Sequence, residues 1–465
     1  MRRLTHPKPP VGMIRREVAE SAMPVMTPAD VDAYAPSTPS YAAAAFAHAA
    51  ERMRAAGQDF PGQALGARFA IGCIALEITQ RCNLDCSYCY LTEKAEAYAD
   101  PPLEEVFRRI DAIRAAYGPN VDVQVTGGDP TLRKRDELIA IVRRVADCGL
   151  RPSLFTNGIK ATRALLADLA AVGLVDVAFH VDVTQDRRGY HTEEQLNALR
   201  ADYIDRARGL GINVIFNTTV CPANFRELPL VVDFFRRHAG DVSMASFQLG
   251  ADTGRGVDRD RPLFITPSTV AGAIQSTVGA PLNFDAAASG HRDCNRYAVA
   301  LTVGDAVFDL YADGPRVARA IAESRGLQFD RRRKLRSSLR FAAWTLRRPS
   351  RALAAIDWGA TLAWRIKGAL LRSRGRAAKI SFFIHNFMGA DGLEAERLDA
   401  CSFMVATADG FAPMCLHNAR RDAYLAKTTR LADGRLWSAL ADGRSSPLPD
   451  KHKKGRAAAA TADSV

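Results

Sequence analysis

From about residue 74 the chain alternates short apolar runs, rich in β-branched residues, with longer stretches of helical periodicity. The short runs predict strands, and apolar positions spaced three and four apart predict amphipathic helices. Strands that alternate with helices of this length indicate βαβ units and a parallel sheet. Six units are too few for a closed eight-stranded barrel, so we expect an α/β fold with an open, partial (β/α)6 barrel. The predicted strands are 74–78, 121–126, 152–156, 175–181, 213–220 and 242–249.

The pattern divides the rest of the chain into further segments. We expect an N-terminal lead and helix, the barrel core, a connecting region, a basic Trp-containing helical segment, a C-terminal region and a disordered tail. Their predicted limits are 1–70, 71–256, 257–330, 331–379, 380–430 and 440–465. Pro349 predicts a break between two helices of the basic segment. The tail is polar and low in complexity, which is typical of disorder.

Three of the nine cysteines follow the first predicted strand, in the stretch CNLDCSYC: Cys82, Cys86 and Cys89. A structural zinc site usually has four ligands, and the next cysteine is far away, at Cys148. Three thiolates on a cubane 4Fe-4S cluster hold three irons and leave the fourth open for a substrate. The alternatives are a small zinc or redox site, or three unrelated buried thiols.

A glycine pair follows the second predicted strand, in VTGGDP, residues 125–130. Gly127 and Gly128 permit a close backbone approach and unusual dihedral angles, which a bound ligand would need. The alternative is an ordinary turn between a strand and a helix, which Gly-Gly-Asp-Pro also suits.

Together these two motifs resemble the radical S-adenosylmethionine (SAM) superfamily, in which Cys-x3-Cys-x2-Cys follows the first strand of a partial barrel and a Gly-Gly-Glu-Pro loop follows the second. The resemblance implies a 4Fe-4S cluster on the three cysteines, reductive cleavage of SAM to a 5′-deoxyadenosyl radical, and hydrogen abstraction by that radical. It implies a reducing partner of the flavodoxin or ferredoxin type. Asp129 stands where the family usually has Glu. The positions that the resemblance places near SAM are Tyr88, Gly127, Gly128, Asp129, Asn157 and His180.

Residues 382–418 resemble the C-terminal region of one branch of that superfamily, the archaeal tetraether lipid synthases and pterin methylases. The matching residues are His385, Phe387, Met388, Glu396, Arg397, Cys401, Thr407, Asp409, Gly410, Pro413, Cys415 and Asn418. The branch uses its cysteines for auxiliary clusters, so we expect a second iron–sulfur cluster on Cys294, Cys401 and Cys415. His291, His417, another Cys or the substrate would supply the fourth ligand. The alternative is that these cysteines are scattered core thiols.

Positive charge is concentrated in one segment. The chain has a net charge of +12, and residues 331–379 alone contain fifteen Lys or Arg and one acid, Asp357. Three of the four tryptophans, Trp344, Trp358 and Trp364, lie there too. Arg mixed with Trp and Leu is typical of helices that lie on an anionic membrane surface. The alternatives are a solvated basic face whose Trp and Leu pack on the barrel, and nucleic-acid binding, which we do not expect because no RNA-binding motif accompanies the charge.

The sequence shows no apolar run of about 18 residues and no apolar stretch after its basic N-terminus. We therefore predict a cytoplasmic protein with peripheral contact to the inner membrane face. The reaction that we expect is hydrogen abstraction from an unactivated carbon of a small molecule or lipid chain, leading to methylation or C–C bond formation. One alternative is a peptide-modifying radical SAM maturase. The other is a non-catalytic iron–sulfur protein that binds lipid.

Overall fold

The alternating pattern of residues 74–249 folds into parallel strands covered by helices on their outer side. The structure is a computed structural model that describes residues 26–33, 72–256, 265–287, 291, 293–323, 334–399 and 401–440. Its strands are β1 Cys73–Thr79, β2 Asp122–Gly127, β3 Arg151–Thr156, β4 Asp176–His180, β5 Asn213–Val220, β6 Val242–Leu249, β7 Asn295–Val303, β8 Ala306–Asp309, β9 Ala377–Asn386, β10 Phe403–Thr407, β11 Gly410–Pro413, β12 Thr429–Arg430 and β13 Leu436–Trp437. Its α-helices are α1 Pro28–Ala33, α2 Leu103–Tyr117, α3 Arg135–Asp147, α4 Arg163–Ala171, α5 Glu193–Ala207, α6 Leu228–Arg237, α7 Pro267–Val278, α8 Gly314–Glu323, α9 Lys334–Leu346, α10 Pro349–Arg372, α11 Ala395–Asp399, α12 Met414–Ala419 and α13 Arg421–Leu425.

The strands of the main sheet lie in the order β11-β10-β1-β2-β3-β4-β5-β6-β9-β7-β8. Strands β1 to β6 are parallel, and helices α2 to α6 form the connections between them. The predicted partial (β/α)6 barrel is therefore confirmed. Two strands from the C-terminal part extend it: β10 pairs in parallel with β1, and β9 pairs in parallel with β6.

These added strands were not among the predicted elements. β9 begins at Ala377, inside the stretch expected to be the basic helical segment, and pairs with β6, whose residues lie 137 positions earlier in the chain. β7 and β8 lie in the predicted connecting region and add an antiparallel hairpin beyond β9. The local sequence pattern could not reveal these pairings, because which strand pairs with which depends on their proximity in the folded chain and not on periodicity along the sequence.

Strand β1 shows how the two faces of the sheet differ. All seven of its residues are buried, as expected where both faces of a parallel sheet are covered. Ile74, Leu76 and Ile78 belong to the hydrophobic core, while Cys73, Ala75 and Glu77 line the interior cavity. Successive side chains point to opposite faces, so the apolar set packs on the helices and the other set faces the site.

Helices α9 and α10 lie on either side of the break expected at Pro349, which occupies the first turn of α10. Most of their side chains are exposed. In the part of the chain that the structure describes, none of the helices combines the length and apolarity needed to cross a membrane. The predicted N-terminal lead and the predicted disordered tail lie almost entirely outside the described residues, apart from α1.

Candidate functional site

The inner face of the partial barrel encloses a cavity of about 400 Å³. Its lining includes most of the side chains predicted for a site: Cys82, Cys86, Cys89, Tyr88, Gly127, Gly128, Asn157 and His180. Asp129 and the C-terminal cysteines Cys294, Cys401 and Cys415 do not line it. The structure thus brings the first cysteine group and the glycine pair to one cavity, at the carboxyl ends of the parallel strands.

The loop that carries the three cysteines is held by backbone hydrogen bonds to two other loops. The Ser87 amide donates to the Thr184 carbonyl at 2.8 Å. On the other side the Arg255 amide donates to the Leu91 carbonyl at 2.7 Å, and the Gly256 amide donates to the Cys89 carbonyl at 3.2 Å. A Cβ at Gly256 would collide with the backbone of the cysteine loop, so glycine is needed there. The segment after β6 therefore positions the thiols as well as lining the cavity.

The glycine pair contacts the chain segment that leads into Cys82. The Gly128 amide donates to the Thr79 carbonyl at 2.9 Å, and the Asp129 amide donates to the Arg81 carbonyl at 2.8 Å. Gly127 has a φ of 127°, which side-chain-bearing residues rarely adopt. A Cβ at Gly127 would meet the Thr79 carbonyl, and one at Gly128 would meet the Arg81 carbonyl. The pair therefore sets the separation between the ends of β1 and β2.

The Asp129 side chain is fully buried and turned toward the neighbouring strand rather than the cavity. Its carboxylate accepts hydrogen bonds from the Thr131 amide at 2.9 Å, the Thr156 hydroxyl at 2.8 Å and the Asn157 amide at 2.9 Å. The Asn157 side chain in turn donates to the Asn83 side chain in the cysteine loop, at 2.7 Å. Asp129 thus connects the ends of β2 and β3 and orients Asn157.

His180 faces the cavity from the end of β4. Its Nε2 lies 2.8 Å from Asp182 Oδ2 and 3.0 Å from the Thr219 hydroxyl. Asp182 is completely buried, and burial raises its pKa. The His180 ring and hydrogen bonds from Thr184 and the Thr219 amide outweigh that effect and lower the pKa to about 2. The ring is therefore fixed by a carboxylate that stays ionised, and Asn217 and Thr219 stand beside it on the cavity wall.

A buried ion pair that the sequence did not reveal joins the C-terminal region to β1. Arg421 Nη1 donates to both carboxylate oxygens of Glu77, at 2.6 and 2.7 Å. Arg421 Nη2 donates to Asn418 Oδ1 at 2.6 Å, and its guanidinium lies 4.5 Å from the centroid of the Tyr90 ring. Burial raises the pKa of Glu77, but Arg421 and His417 reverse the shift and lower the pKa to about 2. The only local signal was a lone acid inside the apolar run CIALEIT.

The thiols of the cysteine loop lie in a partly buried, cation-flanked environment. Burial raises the pKa of Cys82 and of Cys86, and the neighbouring thiols raise both further. Arg255 opposes the shift at Cys82, and Arg187 opposes it at Cys86. The guanidinium groups of Arg255 and Arg187 therefore lie near these thiols, where their positive charge would stabilise thiolates bound to iron.

The C-terminal cysteines Cys294, Cys401 and Cys415 lie outside the lining of the cavity. Burial, then the charges of Cys401 and Cys294, raise the pKa of Cys415. Burial and Cys294 raise the pKa of Cys401 to about 11. Arg397 Nε donates to Cys294 Sγ at 3.2 Å, and the Met388 amide donates to Cys415 Sγ at 3.4 Å. Arg397 and the Met388 amide thus hydrogen-bond two of these thiols, Cys294 and Cys415.

The two histidines predicted as possible fourth ligands of an auxiliary cluster, His291 and His417, have different surroundings. The Nδ1 of His291 accepts from the Asp293 amide at 3.1 Å, one residue before Cys294. His417 instead stacks on Tyr424, with 5.1 Å between ring centroids, and burial lowers its pKa to about 4. His417 therefore belongs to the Glu77–Arg421 surroundings.

The donor set of the cysteine loop fits an iron–sulfur cluster. Within the described ranges, no three His, Cys, Asp or Glu side chains converge on a position for a single metal ion. A cubane does not require such convergence, because each thiolate binds its own iron atom. Cys82, Cys86 and Cys89 are free of disulfides and face one cavity. That arrangement would suit three irons of a 4Fe-4S cluster and would leave the fourth iron without a protein ligand.

Comparison with known proteins agrees with this geometry. Residues 76–235 match the family model described as the Radical SAM superfamily. The PqqA peptide cyclase of Methylobacterium nodulans is 28% identical over 165 residues, which are 35% of this chain and 42% of that protein. The 7,8-dihydro-6-hydroxymethylpterin dimethyltransferase of Methanocaldococcus jannaschii is 26% identical over 190 residues, 39% of this chain and 36% of that protein. The solved structure of native anSMEcpe with bound AdoMet matches with a TM-score of 0.35 and 15% identity, over 44% of this chain and 59% of that one.

A Radical SAM domain therefore occupies residues 76–235, which agrees with the predicted radical SAM enzyme. The family implies a 4Fe-4S cluster and SAM as cofactors. A pterin dimethyltransferase, from the branch expected from the C-terminal motif, is among the relatives at low identity. The chain spans less than half the length of the two curated relatives compared above, so their reactions do not transfer to it directly.

Proposed function

We propose that this protein cleaves SAM reductively and uses the resulting radical to remove a hydrogen atom from an unactivated carbon of its substrate. The observation that carries this proposal is the shared cavity: the thiols of Cys82, Cys86 and Cys89 line it beside Gly127 and Gly128. When bound, the cluster and SAM supply the 5′-deoxyadenosyl radical, and the protein supplies positioning and shielding.

The chain's own residues divide the cavity into a polar and an apolar side. His180, Asn217, Thr219 and Gln248 line it from the ends of β4, β5 and β6. These side chains offer hydrogen-bond donors and acceptors to the nucleoside part of SAM. The glycine pair keeps backbone close to the cysteine loop on the opposite side, where the methionyl end would bind.

An aromatic wall suits an apolar substrate. Phe383 and Phe387 flank His385, whose ring stacks on Phe387 with 3.8 Å between centroids, and Phe403 and Tyr297 complete the wall. Burial, then Arg397, lower the pKa of His385 to about 3, so this ring is neutral at physiological pH. A wall of neutral rings excludes water from a radical and favours contact with a hydrocarbon. We propose a lipid chain as substrate, and methylation or C–C bond formation, a transferase reaction, as the outcome.

We also propose an auxiliary iron–sulfur cluster on Cys294, Cys401 and Cys415. The effect of the thiol charges on the pKa of Cys401 and of Cys415, and the hydrogen bond from Arg397 to Cys294, support it. Cys73 is a further candidate ligand: burial, then Asp122 and Cys401, raise its pKa, and its side chain lies on the cavity wall. The electron would come from a partner of the flavodoxin or ferredoxin type in the cytoplasm.

The first experiment is anaerobic reconstitution with iron and sulfide, followed by SAM and dithionite. Wild-type protein should release 5′-deoxyadenosine, and a Cys86→Ala variant should not. Cys148→Ala is the matched control, because Cys148 lies outside the cavity and should leave the yield unchanged. No deoxyadenosine from wild-type protein with an intact cluster would favour the non-catalytic, lipid-binding alternative.

The iron content tests the auxiliary cluster separately. About eight irons per chain indicate two cubanes, and about four indicate one. Cys401→Ala should lower the count from about eight to about four while keeping SAM cleavage. About four irons per chain in both wild type and variant would mean that the C-terminal cysteines bind no cluster and contribute only to packing.

Modification of a peptide is the second candidate function. The similarity to a PqqA peptide cyclase supports it, although that match covers only 35% of this chain. Comparing lipid extracts of cells with and without the encoding gene distinguishes the two candidates. A missing lipid species would favour the lipid substrate, and an unchanged lipid profile would favour the peptide.

A further inference from the structure

The most unusual surface of the molecule is the pair of helices α9 and α10. Thirteen large hydrophobic side chains are exposed among the described residues, and nine of them belong to this pair. They are Leu335, Leu339, Phe341, Leu346, Leu353, Ile356, Trp358, Trp364 and Leu371. The alternative in which these side chains pack on the barrel therefore does not hold. Exposed apolar area concentrated in this way marks an interaction surface rather than ordinary scatter.

Four of the five exposed large apolar side chains of α10 form one stripe, and the fifth, Trp358, lies outside it. At 100° per residue, Leu353, Ile356, Trp364 and Leu371 fall within a narrow sector of the helix, and the stripe runs for about five turns. Their exposed fractions are 67, 66, 72 and 81%. Trp364 carries Lys367 over its ring, with 2.9 Å from Nζ to the centroid. The stripe is therefore apolar along its length, with a cation at the ring.

Cations border the stripe, and the one acid beside it is already paired. Arg365 and Arg372 project from the flank of α10, and both are exposed. The carboxylate of Asp357 accepts from Arg316 Nη2 at 2.8 Å, so its charge is balanced by α8. The surface thus presents apolar side chains and uncompensated positive charge together.

The helix pair is anchored at its base, so the exposed stripe is held in place. Trp344 lies under the guanidinium of Arg351, with 4.1 Å from Cζ to the ring centroid, and joins α9 to α10. Arg351 also pairs with Glu323 of α8 at 3.0 Å. Ser373, just after α10, is buried against Gly304 in the turn between β7 and β8. Folding therefore fixes the pair while leaving its outer face without cover from the described residues.

We propose that α9 and α10 dock on an anionic lipid bilayer and lie in the interface plane. Charge complementarity selects this occupant: Arg and Lys bind acidic headgroups while Trp and Leu enter the acyl boundary. A second copy would bring two segments of the same large positive charge together, which opposes self-association. Neither helix meets the requirements for a membrane span, so the contact is peripheral. This docking does not depend on which substrate the cavity accepts.

The test is co-flotation of the reconstituted full-length protein with vesicles of pure phosphatidylcholine or of phosphatidylcholine with 30% phosphatidylglycerol. We expect binding to the anionic vesicles only, weakening as salt rises. The variant Leu353→Ala/Trp364→Ala/Leu371→Ala should bind at least about tenfold more weakly, because even one buried apolar side chain contributes that much. Leu436→Ala is the matched control: Leu436 is 64% exposed but lies outside the pair, and its loss should change nothing.

Two measurements keep the outcome clear. The thermal melt and iron content of the triple variant should match those of the wild type, because the replaced side chains are exposed. Equal vesicle binding by wild type and triple variant, or none by either, would overturn the proposal. So would a dimer in light scattering that the triple variant abolishes, or preferential binding of RNA over anionic vesicles.

Discussion

The buried pair of Glu77 and Arg421 gives the sharpest prediction about stability. Arg421→Met removes the guanidinium and leaves the Glu77 carboxylate in a buried site, where Glu77 itself is 6% exposed and Arg421 is 2% exposed. Breaking a buried pair by removing one partner costs about 3–5 kcal/mol, because the remaining charge is uncompensated. The shift of the Glu77 pKa from 4.5 to about 2 gives a similar figure of about 3 kcal/mol.

The sign of the pH dependence follows from that shift. Glu77 has a lower pKa in the folded chain than in the unfolded chain, so the folded state binds the proton more weakly. Its contribution to the free energy of unfolding is fully present above about pH 4.5 and is lost as the pH falls toward 2. Without Arg421, burial should raise the pKa of the Glu77 carboxyl above its unfolded value, so protonation would relieve part of the loss. The difference in the free energy of unfolding between wild type and variant should therefore shrink as the pH falls.

The assay is a double-mutant cycle by urea denaturation with Glu77→Gln, Arg421→Met and the double variant. The double variant should lose less stability than the two single losses added together, by about 3 kcal/mol. Lys427→Met is the control, because it breaks an exposed pair with Asp409 and should cost less than about 1 kcal/mol. Strictly additive losses, or a loss for Arg421→Met no larger than that of the control, would refute the reasoning.

Three further predictions test other parts of the site. Gly128→Ala forces a Cβ against the Arg81 carbonyl and should lower the iron content and weaken SAM binding at least about tenfold. Gly272→Ala is the control and should leave both unchanged, because a Cβ there would meet no atom within 4 Å. Normal iron content and SAM binding in Gly128→Ala would show that the loop tolerates the added Cβ. Asp129→Asn places an amide against the hydrogen-bond donors of Thr156 and Asn157 and should lower the free energy of unfolding, measured by thermal melting, by about 1–3 kcal/mol. The control Asp136→Asn replaces an exposed carboxylate and should change it little. Equal losses in the two variants would argue that Asp129 does not hold the ends of β2 and β3 together. His385→Phe should reduce the loss of stability between pH 6.5 and pH 4, because His385 has a pKa near 6.5 in the unfolded chain and about 3 in the folded chain. The measurement is the free energy of unfolding as a function of pH. The same profile in variant and wild type would contradict a neutral, buried ring.

Much of the site could be predicted because its signals are local. The spacing of Cys82, Cys86 and Cys89 and the Gly127–Gly128 pair are short motifs, and each follows a strand that its own periodicity reveals. Parallel strands bring their carboxyl ends to one edge, so motifs after consecutive strands must meet there. The cavity that contains both motifs is the direct consequence of that rule.

Local pattern gave no access to contacts between distant segments. Glu77 and Arg421 are separated by 344 positions, and the sequence around each residue gives no sign that the other is its partner. Asp129 was predicted to help position SAM, but the sequence did not reveal that its carboxylate would accept hydrogen bonds from Thr156 and Asn157, because that depends on β3 lying beside β2. The place of His417 likewise depends on how α12 packs against β10 and β11.

Residue types and short-range spacing were enough to predict the Radical SAM domain, the parallel barrel and the concentration of positive charge. Tertiary structure alone decided which distant strands complete the sheet, which buried charges are paired, and which face of α10 stays exposed. The physical reason is that burial and pairing depend on the distance between atoms in space, and a folded chain sets that distance independently of separation along the sequence.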